Sequence, residues 1–408
     1  MNKRKIINDP VYGFININSE FIFDLIQHAY FQRLRNIHQL GLTHYVYPGA
    51  THSRFQHSLG AMHLMQNALD VLSDKGIGIT PEEKEATLAA ILLHDIGHTP
   101  FSHALEYFLV RDLSHEDFTK LLIEDLNNNE FKGKLNLTLQ IFENKYPKSF
   151  LHQLVSSQLD VDRLDYLNRD SFYTGVAEGV IGSERIIKML NVFNNQLVAD
   201  MKAIYSIEKF IISRRLMYWQ VYLHKTVHVV EVLLINILKR ARYLFEQGNL
   251  SFISPALRFF FEQKRTILDF TINSHGLKTF INLDDNDILF CIKMWQQEQD
   301  RVLSMLSERL CKRHLFKIEV AESPFDSDYI KSVSEKIQNY YGFSKEEWKY
   351  FVITGKMENR AYNAQVESIQ ILDKNGELFS MEEISDHLNH RTLSESVSKY
   401  FLCYPKEI

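Results

Sequence analysis

An apolar run that leads into a histidine and an aspartate is the feature that most constrains how this chain can fold. Residues 88–93 are all apolar, and His94 and Asp95 follow them directly. An imidazole and a carboxylate buried side by side cost free energy unless they pair or bind a metal ion. Neighbouring helical residues diverge by about 100°, so the pair can share one ion only at an irregular helix end, which Gly97 would provide. We therefore expect a metal-binding or paired polar centre at the end of a buried helix.

Amphipathic helices are predicted over the first two-thirds of the chain, where apolar residues recur at three- and four-residue spacings. Thr80-Pro81-Glu82-Glu83 is a typical helix start, with a cap, a proline and acids in the first turn. Thr51 is interpreted as another N-cap, after an extended piece at residues 44–47. The predicted helices cover residues 23–40, 53–72, 80 to near 94, 100–109, 114–126, 150–168, 183–190 and 206–245.

Short strands are predicted near the C-terminus, at residues 316–320, 350–353 and 368–372. Asn375-Gly376, between two apolar stretches, is a hairpin signal. The predicted fold class is therefore mainly α. A helical domain over residues 1–300 is followed by a smaller C-terminal α+β module over residues 301–408.

Composition excludes several classes of protein. A formal net charge of −5 argues against a general nucleic-acid coat, which needs a broad basic face, but leaves a local phosphate pocket open. Three widely spaced cysteines, Cys291, Cys311 and Cys403, argue against a disulfide framework. No signal-peptide core follows Met1, and no apolar run reaches the roughly 20 residues that span a bilayer. We expect a soluble, cytoplasmic protein with no membrane partner.

Further acids and histidines fit a metal site. His57 lies on a second predicted helix, and the acid-rich segment 160–165 lies on a third. Two imidazoles and two carboxylates suit Mn²⁺, Fe²⁺, Ni²⁺ or Zn²⁺, and Mg²⁺ if water is retained. Taken singly, each feature has an ordinary alternative: a hydrogen-bonded structural histidine or a solvated acidic helix face. Their combination favours the metal site.

The motifs also resemble a known family. The segments that carry the resemblance are RLR at 33–35, QLG at 39–41, YPGATHSRFQHSLG at 47–60, HDIGHTPFSH at 94–103, the acidic helix at 160–170 and RRLMYWQVYLHK at 214–225. Together they resemble the HD-domain deoxynucleoside triphosphate triphosphohydrolases over roughly residues 8–240. The helical domain is accordingly expected to have an HD-domain core.

By position, the resemblance implies a role for each of fifteen residues. The implied ligands of a divalent metal are His57, His94, Asp95 and Asp162. The implied catalytic group around the substrate phosphates is His98, His103 and His115, with Glu106 orienting His115. The implied phosphate-binding residues are Arg54, Arg163 and Arg214. The implied sugar and base contacts are Gln39, Tyr166, Asp170 and Tyr222.

Local spacing supports some of these roles. His115 follows Ser114 at a predicted helix start, where an imidazole held by a carboxylate can pass a proton to a leaving oxygen; the alternative is a solvated surface histidine. Asp162, Tyr166 and Asp170 follow one another at four-residue steps and therefore share a helical face. Arg54 and His57, three residues apart, share a face in the same way. Gln39 and Tyr222 depend on the resemblance alone.

The resemblance implies hydrolysis of a deoxynucleoside triphosphate to deoxynucleoside and inorganic triphosphate. The alternatives are another HD phosphohydrolase, acting as a nucleoside monophosphate phosphatase or a phosphodiesterase, and a nucleotide-binding regulatory protein. The family forms dimers and tetramers, so a homo-oligomer is expected. Gln32, Arg35, His224 and Lys225 match positions that bind regulatory nucleotide, but Gln27 replaces the acid expected to read guanine.

Overall fold

The chain folds mainly as α-helices in the computed structural model, which describes residues 5–359, 368–385 and 397–408. This confirms the predicted fold class. The helices of the first half are α1 (Glu20–Gln27), α2 (Ala29–Gln32), α3 (Arg54–Asp74), α4 (Pro81–Leu93), α5 (Glu106–Leu109), α6 (His115–Asn129), α7 (Asn136–Phe142), α8 (Ser149–Val155) and α9 (Val161–Thr174). Those of the second half are α10 (Ser183–Lys188), α11 (Ile204–Met217), α12 (Lys225–Glu246), α13 (Pro255–Glu262), α14 (His275–Ile281), α15 (Asp285–Trp295), α16 (Arg301–Cys311), α17 (Ser327–Tyr341) and α18 (Met381–Ile384).

Within the described residues, the strands form three small sheets. Their bounds are β1 (Lys5–Asp9), β2 (Gly13–Ile17), β3 (Leu190–Phe193), β4 (Gln196–Asp200), β5 (Lys317–Ala321), β6 (Ile353–Asn359), β7 (Gln370–Leu372), β8 (Leu378–Ser380) and β9 (Val397–Tyr404). β1 and β2 form an N-terminal hairpin, and β9 lies between β5 and β6 in an antiparallel sheet. The predicted hairpin around Asn375-Gly376 is present as β7–β8, and β7 also pairs in parallel with β4. The division into domains at residue 300 stays a prediction.

Capping explains where the two helices nearest the site begin. Thr80 accepts from the Glu83 amide at 3.2 Å, and Pro81 occupies the first position of α4, as predicted. The prediction for α3 was wrong in detail: its N-cap is Ser53, whose amide donates to Gln56 Oε1 at 2.8 Å, and not Thr51. The piece predicted as extended is a 3₁₀ turn at Thr43–Tyr45.

Four predicted helices are interrupted. The helix predicted at 23–40 is α1, the short α2 and a 3₁₀ turn at Arg33–Asn36. The helix predicted at 150–168 is two helices, because the Asp160 carboxylate accepts from the amides of Ser157 and Arg163 and so caps α9 at its own start. The helix predicted at 206–245 contains a π-helical turn at Tyr218–Tyr222 before α12 begins. The helix predicted at 100–109 is a 3₁₀ turn, Ser102–Ala104, followed by the short α5.

Helix α3 packs against α4 and α9, so the helices that carry the candidate ligands share one core. Gly60 allows the close approach of α3 and α9. A Cβ at Gly60 would lie 2.1 Å from Arg169 Nη2 and 2.1 Å from Asp165 Oδ1. Two charged side chains of α9 therefore lie directly against the backbone of α3.

Within the described ranges, no single helix has both the length and the apolar character needed to cross a membrane. The segments Met201–Tyr222 and Lys225–Glu246, bent by 54°, meet that test only when taken together.

Candidate metal centre and substrate pocket

The end of α4 brings His94 and Asp95 into one irregular turn. His94 directly follows the last helical residue, as its C-cap, and Asp95 lies in the turn after it. The Gly97 amide donates to Thr119 Oγ1 at 3.1 Å, and a Cβ at Gly97 would lie 2.2 Å from His115 O. The predicted irregular helix end is present, and Gly97 serves it by letting the turn pack against the start of α6.

The four residues proposed as metal ligands lie together. His57 Nε2 is 2.9 Å from Asp162 Oδ1 and 3.7 Å from Asp95 Oδ2. His94 Nε2 is 3.3 Å from Asp95 Oδ1 and 3.6 Å from Asp162 Oδ1. One atom each from His57, His94 and Asp162 lies within 4.8 Å of the others, close enough to hold a single metal ion.

Both imidazoles present Nε2 to this group because the protein holds their Nδ1 atoms. His57 Nδ1 donates to Asp165 Oδ2 at 2.7 Å, and His94 Nδ1 donates to the Ile91 carbonyl at 2.6 Å. Both Nε2 atoms are buried and, although carboxylate oxygens lie close by, neither makes a hydrogen bond of good geometry with a described residue. Orphaned imidazole nitrogens beside two carboxylates, with their tautomers set from behind, fit a divalent metal.

A buried chain of charges supports His57 from behind. Arg169 donates through Nε and Nη2 to the two oxygens of Asp165, at 2.8 and 3.0 Å, and through Nη1 to Asp9 Oδ2 at 2.8 Å. Burial opposes the charged form of Asp165, but Arg169 and His57 outweigh it and lower the pKa of this carboxyl. The N-terminal hairpin is thereby connected to a candidate ligand. Sequence reasoning missed Arg169, although its four-residue spacing from Asp165 was a usable signal.

Arg54 and His98 surround the remaining carboxylate. Arg54 Nη1 donates to Asp95 Oδ2 at 2.5 Å, and His98 Nε2 lies 3.2 Å from Asp95 Oδ1. Burial opposes ionisation of Asp95, but Arg54 holds the pKa of this carboxyl well below its ordinary value. Burial and then Arg54 lower the pKa of His98 well below that of a free histidine. Asp95 is therefore charged and His98 neutral near pH 7.

A second histidine group, formed by His98, His103 and His115, lies beside the first. Glu106 Oε1 accepts from both the amide and Nδ1 of His115, at 2.8 and 2.7 Å, and Glu106 Oε2 is 3.1 Å from His103 Nδ1. The rings of His98 and His115 stack at 4.1 Å between centroids. Glu106 therefore holds the His115 ring from behind. The spacing of these three histidines would also admit a cation.

Two adjoining cavities, of about 420 and 330 Å³, connect the predicted residues. Volumes in this range suit a small-molecule ligand. Predicted residues on the larger cavity alone are Arg163, Asp170, Arg214 and Tyr222. Those on the smaller cavity alone are His94, Asp95, His98 and His115. Those on both are Gln39, Arg54, His103, Asp162 and Tyr166. Among the predicted residues, His57 and Glu106 stand behind the walls, where they support other side chains.

Two arginines of the larger cavity have buried guanidinium donors that no described residue accepts from. Arg163 Nη1 is paired with Asp160 and the Ser157 carbonyl, and Arg214 Nη1 donates to Gln158 Oε1 at 3.0 Å. The Nε atoms of Arg163 and Arg214 are buried and find no acceptor in the described part of the chain. Buried guanidinium donors without acceptors are suited to an anionic ligand.

Asp170 also lines the larger cavity. Its Oδ2 accepts from Tyr222 OH at 2.8 Å, and its Oδ1 accepts from His52 Nε2 at 2.8 Å. Burial and the Asp170 charge raise the pKa of Tyr222 well above its ordinary value, so its hydroxyl stays protonated. His52 lies inside the 47–60 motif but was not singled out from the sequence.

Comparison with known proteins agrees with this geometry. The HD domain family matches residues 54–170, and the HD associated region matches residues 181–251. A crystal structure of a phosphohydrolase from Bacteroides thetaiotaomicron is 51% identical, with a TM-score of 0.95, covering 98% of this chain and 100% of that chain. The uncharacterized protein YwfO of Bacillus subtilis is 37% identical over 78% of this chain and 72% of its own length.

A more distant relative carries a specific name. The deoxynucleoside triphosphate triphosphohydrolase SAMHD1 homolog of Dictyostelium discoideum is 33% identical over 248 residues, which are 56% of this chain and 48% of that protein. The likeness thus spans about half of each chain. The chain belongs to the HD-domain family of metal-dependent phosphohydrolases.

Proposed function

We propose that this protein hydrolyses deoxynucleoside triphosphates to deoxynucleoside and inorganic triphosphate. The observation that carries the proposal is the pair of adjoining cavities. One is lined by histidines and the candidate ligands. The other is lined by the Asp170–Tyr222 pair and by arginines whose Nε donors have no acceptor in the part of the chain that the structure describes. A triphosphate chain with a sugar attached needs both kinds of surface within one pocket.

The donor set supports a divalent metal held by His57, His94, Asp95 and Asp162. Mixed imidazole and carboxylate ligands suit Mn²⁺, Fe²⁺, Ni²⁺ or Zn²⁺, and Mg²⁺ with water. A bound divalent cation polarises a phosphoryl oxygen and lowers the pKa of water.

The side chains around the ligands have complementary tasks in this proposal. Water attacks the α-phosphorus and releases a proton to solvent, the bond from phosphorus to the sugar 5′ oxygen breaks, and that oxygen takes a proton. His115, with Nδ1 held by Glu106, presents Nε2 as the group that donates this proton. Arg54, Arg163 and Arg214 stabilise the charge of the phosphate chain, because guanidinium donors preorganised in a partly buried site cost no reorganisation during the reaction.

The sugar would bind at the opposite end. Asp170, fixed by His52 and Tyr222, is a buried acceptor for a sugar hydroxyl. Tyr166 and Tyr222, whose ring centroids are 6.2 Å apart, complete that wall with Gln39, whose buried Oε1 has no donor among the described residues. A hydroxyl hydrogen-bonded by a buried acceptor contributes specificity, because an analogue without it leaves the acceptor unpaired.

Phosphorus NMR tests the proposal directly. The protein is incubated with Mn²⁺ or Mg²⁺ and each deoxynucleoside triphosphate, and inorganic triphosphate is the expected product. No triphosphate, with phosphate released instead from nucleoside monophosphates in a parallel sample, would favour the nucleotide phosphatase. Binding without turnover of any phosphate ester would favour the regulatory protein.

Assembly and regulation are further proposals. A homo-oligomer, dimer or tetramer, is expected from the family resemblance and is tested by light scattering. Activation by nucleotide would involve Gln32 and Arg35, which are hydrogen-bonded to each other at 2.7 Å. Turnover that rises with added guanine nucleotide would support such a site, and turnover independent of it would contradict activation.

A further inference from the structure

Two consecutive residues beside the pocket adopt a backbone conformation that L-amino acids rarely use. Phe101 and Ser102 have φ angles of 55° and 57°, in the left-handed region. Neither is glycine, so surrounding contacts must hold this turn in place. The turn follows the His94–His98 segment and precedes His103, and both Phe101 and Ser102 line the larger cavity.

A buried carboxylate from far along the chain holds the turn. Asp285, the first residue of α15, is 1% exposed. Its Oδ1 accepts from the Phe101 amide at 2.7 Å, and its Oδ2 accepts from the amide and Nδ1 of His38, at 2.9 and 2.6 Å. A buried charge with three donors is well compensated. Asp285 thus joins the turn to residue 38 through one side chain.

The Phe101–Ser102 turn also fixes Arg54, one of the arginines of the pocket. Ser102 Oγ accepts from Arg54 Nε at 2.8 Å and donates to the His38 carbonyl at 2.9 Å. Arg54 Nη1 is the donor to Asp95 described above. Asp285 therefore holds both neighbours of the Ser102 hydroxyl, the preceding Phe101 amide and His38, and the hydroxyl orients Arg54.

A second contact, made through Arg33 by the residues just before Asp285, anchors the loop at His98. Arg33 is buried and donates to the Leu283 carbonyl through Nε and Nη2, at 3.0 and 2.8 Å. Its Nη1 donates to the His98 carbonyl at 2.9 Å. Residues 283–285 therefore anchor the loop near both His98 and Phe101.

We propose that Asp285 is a positioning residue for the reaction: it holds the Phe101–Ser102 turn so that Ser102 fixes Arg54 against Asp95. Asp285 itself lines neither cavity. It also lies outside the two regions, 54–170 and 181–251, that match the family. The proposal rests on the proposed function insofar as Arg54 contacts a phosphate substrate.

A double-mutant cycle tests the path through Ser102. Wild type, Asp285→Asn, Ser102→Ala and the double variant are compared by kcat/KM, on whichever phosphate ester the wild type hydrolyses. Asparagine keeps the shape of Asp285 but has one acceptor oxygen, so either Phe101 or His38 loses its partner. We expect each single change to lower kcat/KM by about 10- to 100-fold, as misplacement of a positioned group does. Since both act through Arg54, the double variant should lose little more than either single one.

Losses that multiply in the double variant, or unchanged kcat/KM in Asp285→Asn, would overturn the proposal. Asp284→Asn is the matched control, since asparagine caps a helix as well as aspartate and Asp284 caps the same helix through the Asn286 amide. It should leave kcat/KM within about twofold of wild type. Absence of deoxynucleoside triphosphate cleavage in the wild type would contradict the proposed function alone, because the cycle then uses another phosphate ester.

Hydrogen exchange gives a readout that needs no substrate. The Phe101 amide should exchange faster in Asp285→Asn than in wild type or Asp284→Asn, while metal content stays equal in all three. An unchanged Phe101 amide would overturn the proposed contact. Faster exchange together with unchanged kcat/KM would reduce Asp285 to a purely structural residue and would also overturn the proposal.

Discussion

Two pairs of histidines in the pocket, His57 with His94 and His103 with His115, differ in how the protein holds them. His98, buried beside Asp95, belongs to neither pair. His57 and His94 are each fixed at Nδ1 by a separate partner, a buried carboxylate and a backbone carbonyl. His103 and His115 share the single carboxylate of Glu106. The His57 side chain is 1% exposed and that of His94 11%, whereas those of His115 and His103 are 24% and 68% exposed.

This difference separates two tasks. Rings fixed individually in a buried site suit a cation, whose ligands must hold their geometry before it binds. Rings that share one support and reach the surface can adjust to a flexible phosphate chain as it enters. Variants of His57 or His94 should therefore change metal binding. Variants of His103 or His115 should change turnover while the metal stays bound.

The largest effect is expected for the candidate ligand Asp162. Asp162→Ala should remove bound metal and lower turnover by at least about 10³-fold, as loss of a central catalytic group does. Metal content is measured by mass spectrometry and folding by circular dichroism. Asp70→Ala, on the exposed face of α3, is the control and should retain both metal and turnover. Full turnover in metal-free Asp162→Ala would contradict the assignment.

His115 and His103 should differ in how much they contribute to turnover, because they differ in exposure. His115→Ala should lower kcat by about 10²-fold or more, the usual contribution of a general acid, with metal content unchanged. His103→Ala should cost less than about tenfold, because this exposed ring contacts Glu106 at a longer distance. Equal losses in the two variants, or loss of metal in either, would show that the two groups do not divide the work in this way.

A smaller effect is expected for Asp165, which accepts from His57 Nδ1. Asp165→Asn keeps the shape of the side chain but weakens the hold on His57 Nδ1 and on Arg169. We expect metal affinity to fall by about 10- to 100-fold, typical of a residue behind a ligand, with activity restored by excess metal. Metal titration measures this. Activity that stays low at saturating metal would place Asp165 in the chemical step instead.

The smallest effect is expected at the far end of the charge chain. Asp9→Asn preserves the turn contacts of Oδ1 with the amides of Val11 and Tyr12 and removes the charged partner of Arg169. Metal affinity should fall by about twofold to fivefold, less than for Asp165→Asn. Asn8→Ala, at the exposed neighbouring position, is the control. A loss as large as that of Asp165→Asn would mean that the chain acts as one unit.

Local signals in the sequence were enough for the elements that carry the site. The capping pattern at Thr80-Pro81 located the start of α4, and four-residue spacing placed Asp162, Tyr166 and Asp170 on one face of α9. The strand-like residues 44–47 were misassigned because packing of this segment overrides their local preference.

Contacts between distant parts of the chain could not be predicted in the same way. Arg169 meets Asp9 across 160 residues, and Asp285 meets Phe101 across 184. No local pattern reports such a pairing, because each partner alone resembles an ordinary surface acid or helix residue. The sequence does not predict the left-handed turn at Phe101 either, because neither Phe101 nor Ser102 is a glycine. Cytoplasmic location stays a prediction.

The N-terminal hairpin has a practical consequence for handling the protein. Because Asp9 is the outermost member of the chain of charges that ends at His57, a protease that clips ahead of β2 would loosen a ligand while leaving nearly every helix intact. Such a preparation would look intact by far-ultraviolet circular dichroism and gel filtration, yet would bind metal less tightly than the whole protein. The affinity tag is therefore best placed at the C-terminus, and the intact mass is best checked before any assay. Both steps keep this damage from being mistaken for a property of the intact protein.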